Sequence, residues 1–349
     1  MRGGQASGAE PLLRRGMNQR GARATPVGRG ARRARWLMLF ALLLVLALIG
    51  GVVLYVSPFL ALMEPHQAVA RGVPTPVATP PPLQSNQPIN ILLLGSDNDQ
   101  KFQPDALLSQ TMIVASVDPG RHQVTLLSLP RDLWVPIPGH GEAKIDLAYK
   151  LGGAALARAT VEQRFKIPIH YYAWVGLGGL VKVIDRVGGV DVDVLHPVLD
   201  DNYPNDFNGS GYGTERVYLA AGPQHLDGRH ALQYVRSRHG DLLSDFGRSV
   251  RQQQVLVALQ QRTAGTNLIG LLPEVARDLN GHLKTDIDLV RLTQLAIFAR
   301  GLHAGDIHQA YITQYVHDAT SPDGQAILIA DWPAVNAYLR QVFNGNVLP

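Results

Sequence analysis

One uninterrupted apolar run decides how the rest of this chain is read. From Trp36 to Val56, "WLMLFALLLVLALIGGVVLYV" holds no charge and no strongly polar side chain. A helix of that length spans roughly 31 Å, against a hydrocarbon thickness of about 30 Å. Arg32, Arg33 and Arg35 abut its N-terminal end. The positive-inside rule then keeps residues 1–35 in the cytoplasm and places everything after residue 57 outside. A cleaved signal peptide is the competing reading, because "AVA" at 68–70 resembles a cleavage site. The run exceeds an ordinary h-region and the site lies far beyond it, so a retained single-pass anchor in the cell membrane is expected.

The net charge of +4 combines two unlike parts. Residues 1–35 carry nine arginines and one acid, Glu10, which leaves −4 for the remainder. The basic character belongs to a Gly/Arg/Ala-rich tail too poor in apolar residues to fold. It gives no reason to expect nucleic acid as a partner of the folded part. With no cysteine, disulfides, zinc–thiolate sites and Cys nucleophiles are excluded. Residues 57–88 read as an extended linker that stands the next domain off the membrane; seven prolines fall between Glu64 and Pro88.

From Ile89 the pattern changes to short apolar runs ending in Gly, Asp or Pro: "INILLLGSD", "TMIVASVDP", "VTLLSLPRD" and "HYYAWVGL". These suit buried strands. "GGLVKVIDRV" has helical spacing and is stopped by Gly188-Gly189 before a strand at Val190 to Val194. Further helices are expected in "AGPQHLDGRHALQYV", "DFGRSVRQQQVLVALQQR" (with Ser244 as N-cap), "LVRLTQLAIFARGL" and "DWPAVNAYLRQVF". "HQAYITQYV" and "QAILI" read as strands. Interleaved strands and helices predict an α/β domain with a mixed central sheet covered on both faces. The best seam is "TAGTNLIG", residues 263–270.

The segment Tyr234 to Gln254, "YVRSRHGDLLSDFGRSVRQQQ", concentrates arginines in a chain with only 17% charged residues. Arg236 and Arg238 share one side of an extended chain. Asp245, Arg248 and Gln252 share one helical face, with Arg251 beside them. Guanidinium forks match phosphate oxygens in pairs, which lysine does not do. The spacing equally suits an Arg/Asp salt-bridge cluster, and spacing alone does not choose.

In order along the chain, "NILLLGSD", "TMIVASVDP", "LSLPRDLWV", "KIDLAYKLGG", "VKVIDRVGGVDVDV" and "YVRSR…DFGRSVRQQ" resemble the LytR-CpsA-Psr family of membrane-anchored enzymes. The likeness covers Ile89 to Arg262, residues 89–262, and leaves 263–349 as a C-terminal extension on the same domain. It implies an α/β/α sandwich with a hydrophobic pocket for a polyprenyl chain. The implied activity moves a glycopolymer-phosphate from a polyprenyl-pyrophosphate carrier to a cell-wall acceptor such as peptidoglycan, with Mg2+ or Mn2+. Residue by residue, Asp97 matches the metal-holding acid. Arg131, Arg236, Arg238, Arg248 and Gln252 match the pyrophosphate contacts, Asp245 matches the acid of the same motif, and Arg251 is a further contributor. Asp97, Arg131, Asp245 and Arg248 form the implied catalytic set. Asp97, Asp132 and Asp245 all stand as candidates for the general base.

One departure bears on the chemistry. Where the family reads Arg-x-Asp-Thr, this chain reads "LSQT", so Leu108 and the neutral Gln110 replace an arginine and the second metal-holding carboxylate. An amide weakens a magnesium site. A catalytically impaired relative that still binds the lipid is therefore the alternative expectation. Elsewhere, "GLGGL" (Gly176 to Leu180) reads as a strand-to-helix turn, not a nucleotide loop. "DDNYPNDFNGSGYGTE" (Asp200 to Glu215) reads as a lid or surface loop.

Overall fold

The computed structural model describes residues 43–44, 46–47, 51, 53–64, 79–82, 85–96, 107–205, 213–238, 244–264, 268–345 and 347–348. Residues 54–349 make one compact unit and residues 1–53 another. The expected span Trp36–Val56 lies mostly outside the described residues. Those of it that are described are helical, and Leu43, Leu44 and Leu46 are exposed. Among the described residues no helix is long and apolar enough to cross a membrane.

The linker expectation needs correction at its start. Helix α1 (residues 54–60) and the residues after it pack onto the folded domain. Phe59 and Leu62 are buried against Ala276 and Leu279. Met63 bridges Thr285, and the Glu64 carboxylate accepts from the Tyr172 hydroxyl and pairs with Lys284. Burial of Phe59 and Leu62, together with the Met63 bridge and the Glu64 contacts, holds this stretch against the domain.

The remaining elements, in chain order, begin with β1 (Ile89–Ser96), β2 (Ser109–Asp118), β3 (Gln123–Ser128), β4 (Trp134–Ile137), β5 (Gly141–Lys144), α2 (Leu147–Phe165) and β6 (Tyr171–Val175). Then follow α3 (Leu177–Arg186), β7 (Val190–Val194), β8 (Val198–Pro204), β9 (Thr214–Leu219), β10 (Gly222–Leu226), α4 (Gly228–Arg236) and α5 (Ser244–Thr263). The chain closes with α6 (Leu268–Asp278), β11 (Leu283–Thr285), α7 (Leu289–Arg300), β12 (Ile307–Tyr311), β13 (Val316–Thr320), β14 (Ala326–Ala330) and α8 (Trp332–Val342).

The central sheet has six strands in the order β11-β6-β1-β2-β3-β12. It is mixed: β1 runs parallel to β6 and antiparallel to β2, while β12 is parallel to β3. Both edge strands come from the C-terminal segment, so that segment completes the sheet. Strand alternation sends Leu92, Leu94, Met112, Val114 and Trp174 to one face, against α2 and α8. The other face sends Ile91, Val117 and Tyr171 against α7, and Ile113, Ala115 and Leu126 against α5. Helices on both faces make the expected α/β/α sandwich.

Helix α2 was not visible in the sequence. Every residue from Ala155 to Glu162 is buried, which erases the amphipathic period that marks a surface helix. Gly152 and Gly153 also break its regular backbone. The buried charges it carries are paired: Arg158 meets Asp286 at 2.5 Å, and Glu162 accepts from the Ile169 amide at 2.7 Å. The run "HQAYITQYV" is likewise two strands, β12 and β13, separated by a 3-10 turn at Thr313–Tyr315.

Candidate functional site: an apolar cavity rimmed by arginines

Between the sheet and the helices α3, α4 and α5 lies a cavity of about 480 Å3. Its wall is apolar, with Leu93, Ile113, Val175, Leu180, Leu232 and Val255 among the lining residues. Three features shape it. A Cβ on Gly228 would stand 2.4 Å from the Val181 carbonyl, so glycine lets α4 approach α3 closely. Asp227 caps α4 by accepting from the His230 amide at 2.8 Å. Gln253, fully buried on α5, donates to Ser128 Oγ (2.8 Å) and to the carbonyls of Leu126 and Ala310, fastening α5 to β3 and β12.

Polar groups gather at one end of this cavity. Arg236, Arg238, Arg248 and Gln252 line it together with Gln110 and Asp200. Arg248, Gln252 and Gln110 also line a small adjoining pocket that contains Arg131 and Asp132. Gln110 joins two of the arginines. Its Oε1 accepts from Arg131 Nη1 and, at 2.9 Å, from Arg238 Nη2. The backbone amide of Arg238 donates to Asp200 Oδ2 at 3.1 Å, and the Arg236 guanidinium lies over the Tyr203 ring. Arg251 is placed differently from the others. It is buried, donates to the Ser237 carbonyl, stacks on Tyr234 and is not among the cavity-lining residues. Its contacts tie α5 to the chain after α4.

The loop 200–215 contributes more than a surface excursion. Asp200, Asn202 and Pro204 of β8 stand on the cavity wall. Turn-rich composition hid this, because strand β8 pairs with β9 across a register shift between Asp200 and Tyr203. Asp97 lies outside the described residues, as does the Asp245 side chain; the Asp245 backbone is in the first turn of α5.

Two described carboxylates near the rim differ in character. Burial pushes the Asp132 carboxyl up, but its hydrogen bond from Lys144 (2.8 Å) and the charges of Arg131, Lys144 and Arg248 bring it below the usual range. It stays ionised and is a poor proton acceptor. Asp146 is pushed up to about 6, chiefly by burial. Among the described residues no group of three or more His, Asp or Glu is arranged to hold a metal ion. At position 110 the only side-chain oxygen already accepts from two guanidinium groups. The described residues therefore do not fit a resident divalent cation.

This architecture has known counterparts. Residues 52–342 match the model of the LytR_cpsA_psr family. The polyisoprenyl-teichoic acid–peptidoglycan teichoic acid transferase TagU of Enterococcus faecalis is 32% identical over 284 residues, 80% of this chain and 88% of that protein. The corresponding TagV of Bacillus subtilis is 33% identical over 283 residues, covering 80% of this chain and 70% of that protein. The crystal structure of B. subtilis TagV superposes with a TM-score of 0.61 at 29% identity, over 75% of this chain and 99% of that one. The match to the family model spans the sheet, the cavity and the arginine rim, and the chain belongs to the LytR-CpsA-Psr family.

Proposed function

We propose that this protein transfers a glycopolymer-phosphate from a polyprenyl-pyrophosphate carrier to a cell-wall acceptor such as peptidoglycan. The observation that carries the proposal is an apolar cavity opening onto a rim of guanidinium groups. An isoprenoid chain gains from an apolar wall and its diphosphate gains from the arginines. The names of the TagU and TagV relatives point to the same chemistry. The acceptor hydroxyl attacks the glycan-bearing phosphorus, forming the new O–P bond. The bridging P–O–P bond breaks, polyprenyl monophosphate leaves, and the hydroxyl proton passes to a carboxylate. Asp97 and Asp245 are the better candidates for that base, because Lys144, Arg131 and Arg248 lower the basicity of the Asp132 carboxylate. Arg131, Arg236, Arg238 and Arg248, with Gln252, neutralise the charge that develops. Arg251 supports them from behind.

The resemblance also implies Mg2+ or Mn2+ at Asp97, a cation that the described residues do not fit, so the transfer is written without it. Residues 36–56 anchor the chain in the membrane with residues 1–35 cytoplasmic and the folded domain outside, where carrier and acceptor meet. The direct test incubates the full chain in detergent with a polyprenyl-pyrophosphate-linked glycan and peptidoglycan fragments. Release of polyprenyl monophosphate with glycan coupled to the acceptor is expected, and Arg248→Ala abolishes it. A second reading, a lipid-binding relative without turnover, is favoured by Gln110. Under that reading the parent binds but does not turn over, and Gln110→Asp recovers activity.

A further inference from the structure

We infer that Gln110 is a positioning residue that lets the arginine rim grip a diphosphate without a divalent cation; this rests on the site reading above. Arg131, on the turn after β3, and Arg238, just beyond α4, come from distant parts of the chain and converge on one neutral oxygen. Two like charges held this close repel each other, and the amide dipole between them keeps both forks aimed at the same place. Arg131 already pairs with Asp132 at 3.2 Å, and a carboxylate at position 110 would also collect both arginines while adding a second negative charge against the same guanidinium groups. A bound dication is what would then offset that charge. With an amide the second charge does not arise.

The same geometry disfavours a cation there. Both lone pairs of the Gln110 oxygen are taken by N–H donors, so ligating a metal requires displacing an arginine. A dication would also sit beside two guanidinium groups with no negative charge from residue 110 to hold it. Binding energy that a metal-dependent site receives from its ion is supplied here by pre-aimed hydrogen-bond forks.

The test uses the full chain in detergent micelles and farnesyl pyrophosphate as the probe, followed by calorimetry in excess EDTA and in excess Mg2+. The parent is expected to change its Kd by less than about twofold between the two conditions. Gln110→Asp is expected to weaken in EDTA by about tenfold or more and to recover in Mg2+. Mn2+ alone, titrated by paramagnetic resonance, should show saturable binding to Gln110→Asp and none to the parent. A parent that loses about tenfold or more in EDTA, or that binds Mn2+ as Gln110→Asp does, overturns the inference while leaving the proposed function standing. A parent that binds the probe in neither condition overturns the reading of the site, and this inference with it.

Discussion

Replacing Arg248 by alanine is the most informative single perturbation of this protein. Arg248 is only 6% exposed, yet it lines both the apolar cavity and the small adjoining pocket, and its charge reaches Asp132. A guanidinium fork on a diphosphate makes two charge-assisted hydrogen bonds, each contributing about 1.5–3 kcal/mol. Losing both therefore weakens binding by about 3–6 kcal/mol, roughly a factor of 10^2 to 10^4 in Kd. The assay is calorimetric titration of farnesyl pyrophosphate into the full chain. The control is Arg186→Ala. Arg186 pairs with Glu274 and Asp278 on the surface, far in sequence from the rim, and solvent screening leaves such an exposed pair with little effect on stability and none on binding. An Arg248→Ala protein that melts like the parent and binds within about threefold of it would refute the argument that this rim holds the diphosphate.

Three further outcomes follow from the packing. Asp286 is fully buried, pairs with Arg158 and accepts from the Tyr172 amide at 2.8 Å, so Asp286→Ala strands a buried guanidinium and should cost about 3–5 kcal/mol in a thermal melt. Phe59→Ala should cost about 3 kcal/mol or more, whereas Leu60→Ala, at a position 65% exposed, should leave the melt unchanged; equal melts for the two would contradict the docking of α1. The pH dependence has two opposing parts. His170, pushed down to about 4 by burial and by the charges of Arg158 and Arg291, accepts from the Asn90 amide as a neutral ring. Its unfolded form takes up a proton first, so stability is lost as pH falls from about 6.5 toward 4, by about 3 kcal/mol at most. Asp146, pushed up to about 6, works the other way: its folded form holds the proton, and stability is lost as pH rises from about 4 to 6. Asp146→Asn should therefore stabilise the protein at neutral pH by up to about 3 kcal/mol and unmask the acid-side loss due to His170. A melt-versus-pH curve identical to the parent's would show that Asp146 does not titrate in this window.

What the sequence by itself determined is local. The apolar run from Trp36 to Val56 with its flanking arginines defines a membrane-anchor expectation, because hydropathy and charge are properties of adjacent residues. The alternation of β1 to β3, β6 and β7 with α3 to α5 was legible for the same reason: each element carries its own period and stop signal, such as Gly188-Gly189 with positive φ at both residues. The arginines of the rim were legible as residue types and as a family likeness. Their division of labour was not. Arg248 faces the cavity while its neighbour Arg251 turns inward to Ser237, a choice set by how α5 packs between β3, β12 and α4. Helix α2 was invisible because burial on all sides removes periodicity. The docking of Phe59 and Leu62 was invisible because their partners lie on α6, more than two hundred residues along the chain. The role of Gln110 depends on Arg131 and Arg238, 21 and 128 residues away, meeting at one oxygen. Only the tertiary structure decides such meetings, because the free energy that brings them together comes from burying the sheet and its helices as a whole and is not encoded at position 110.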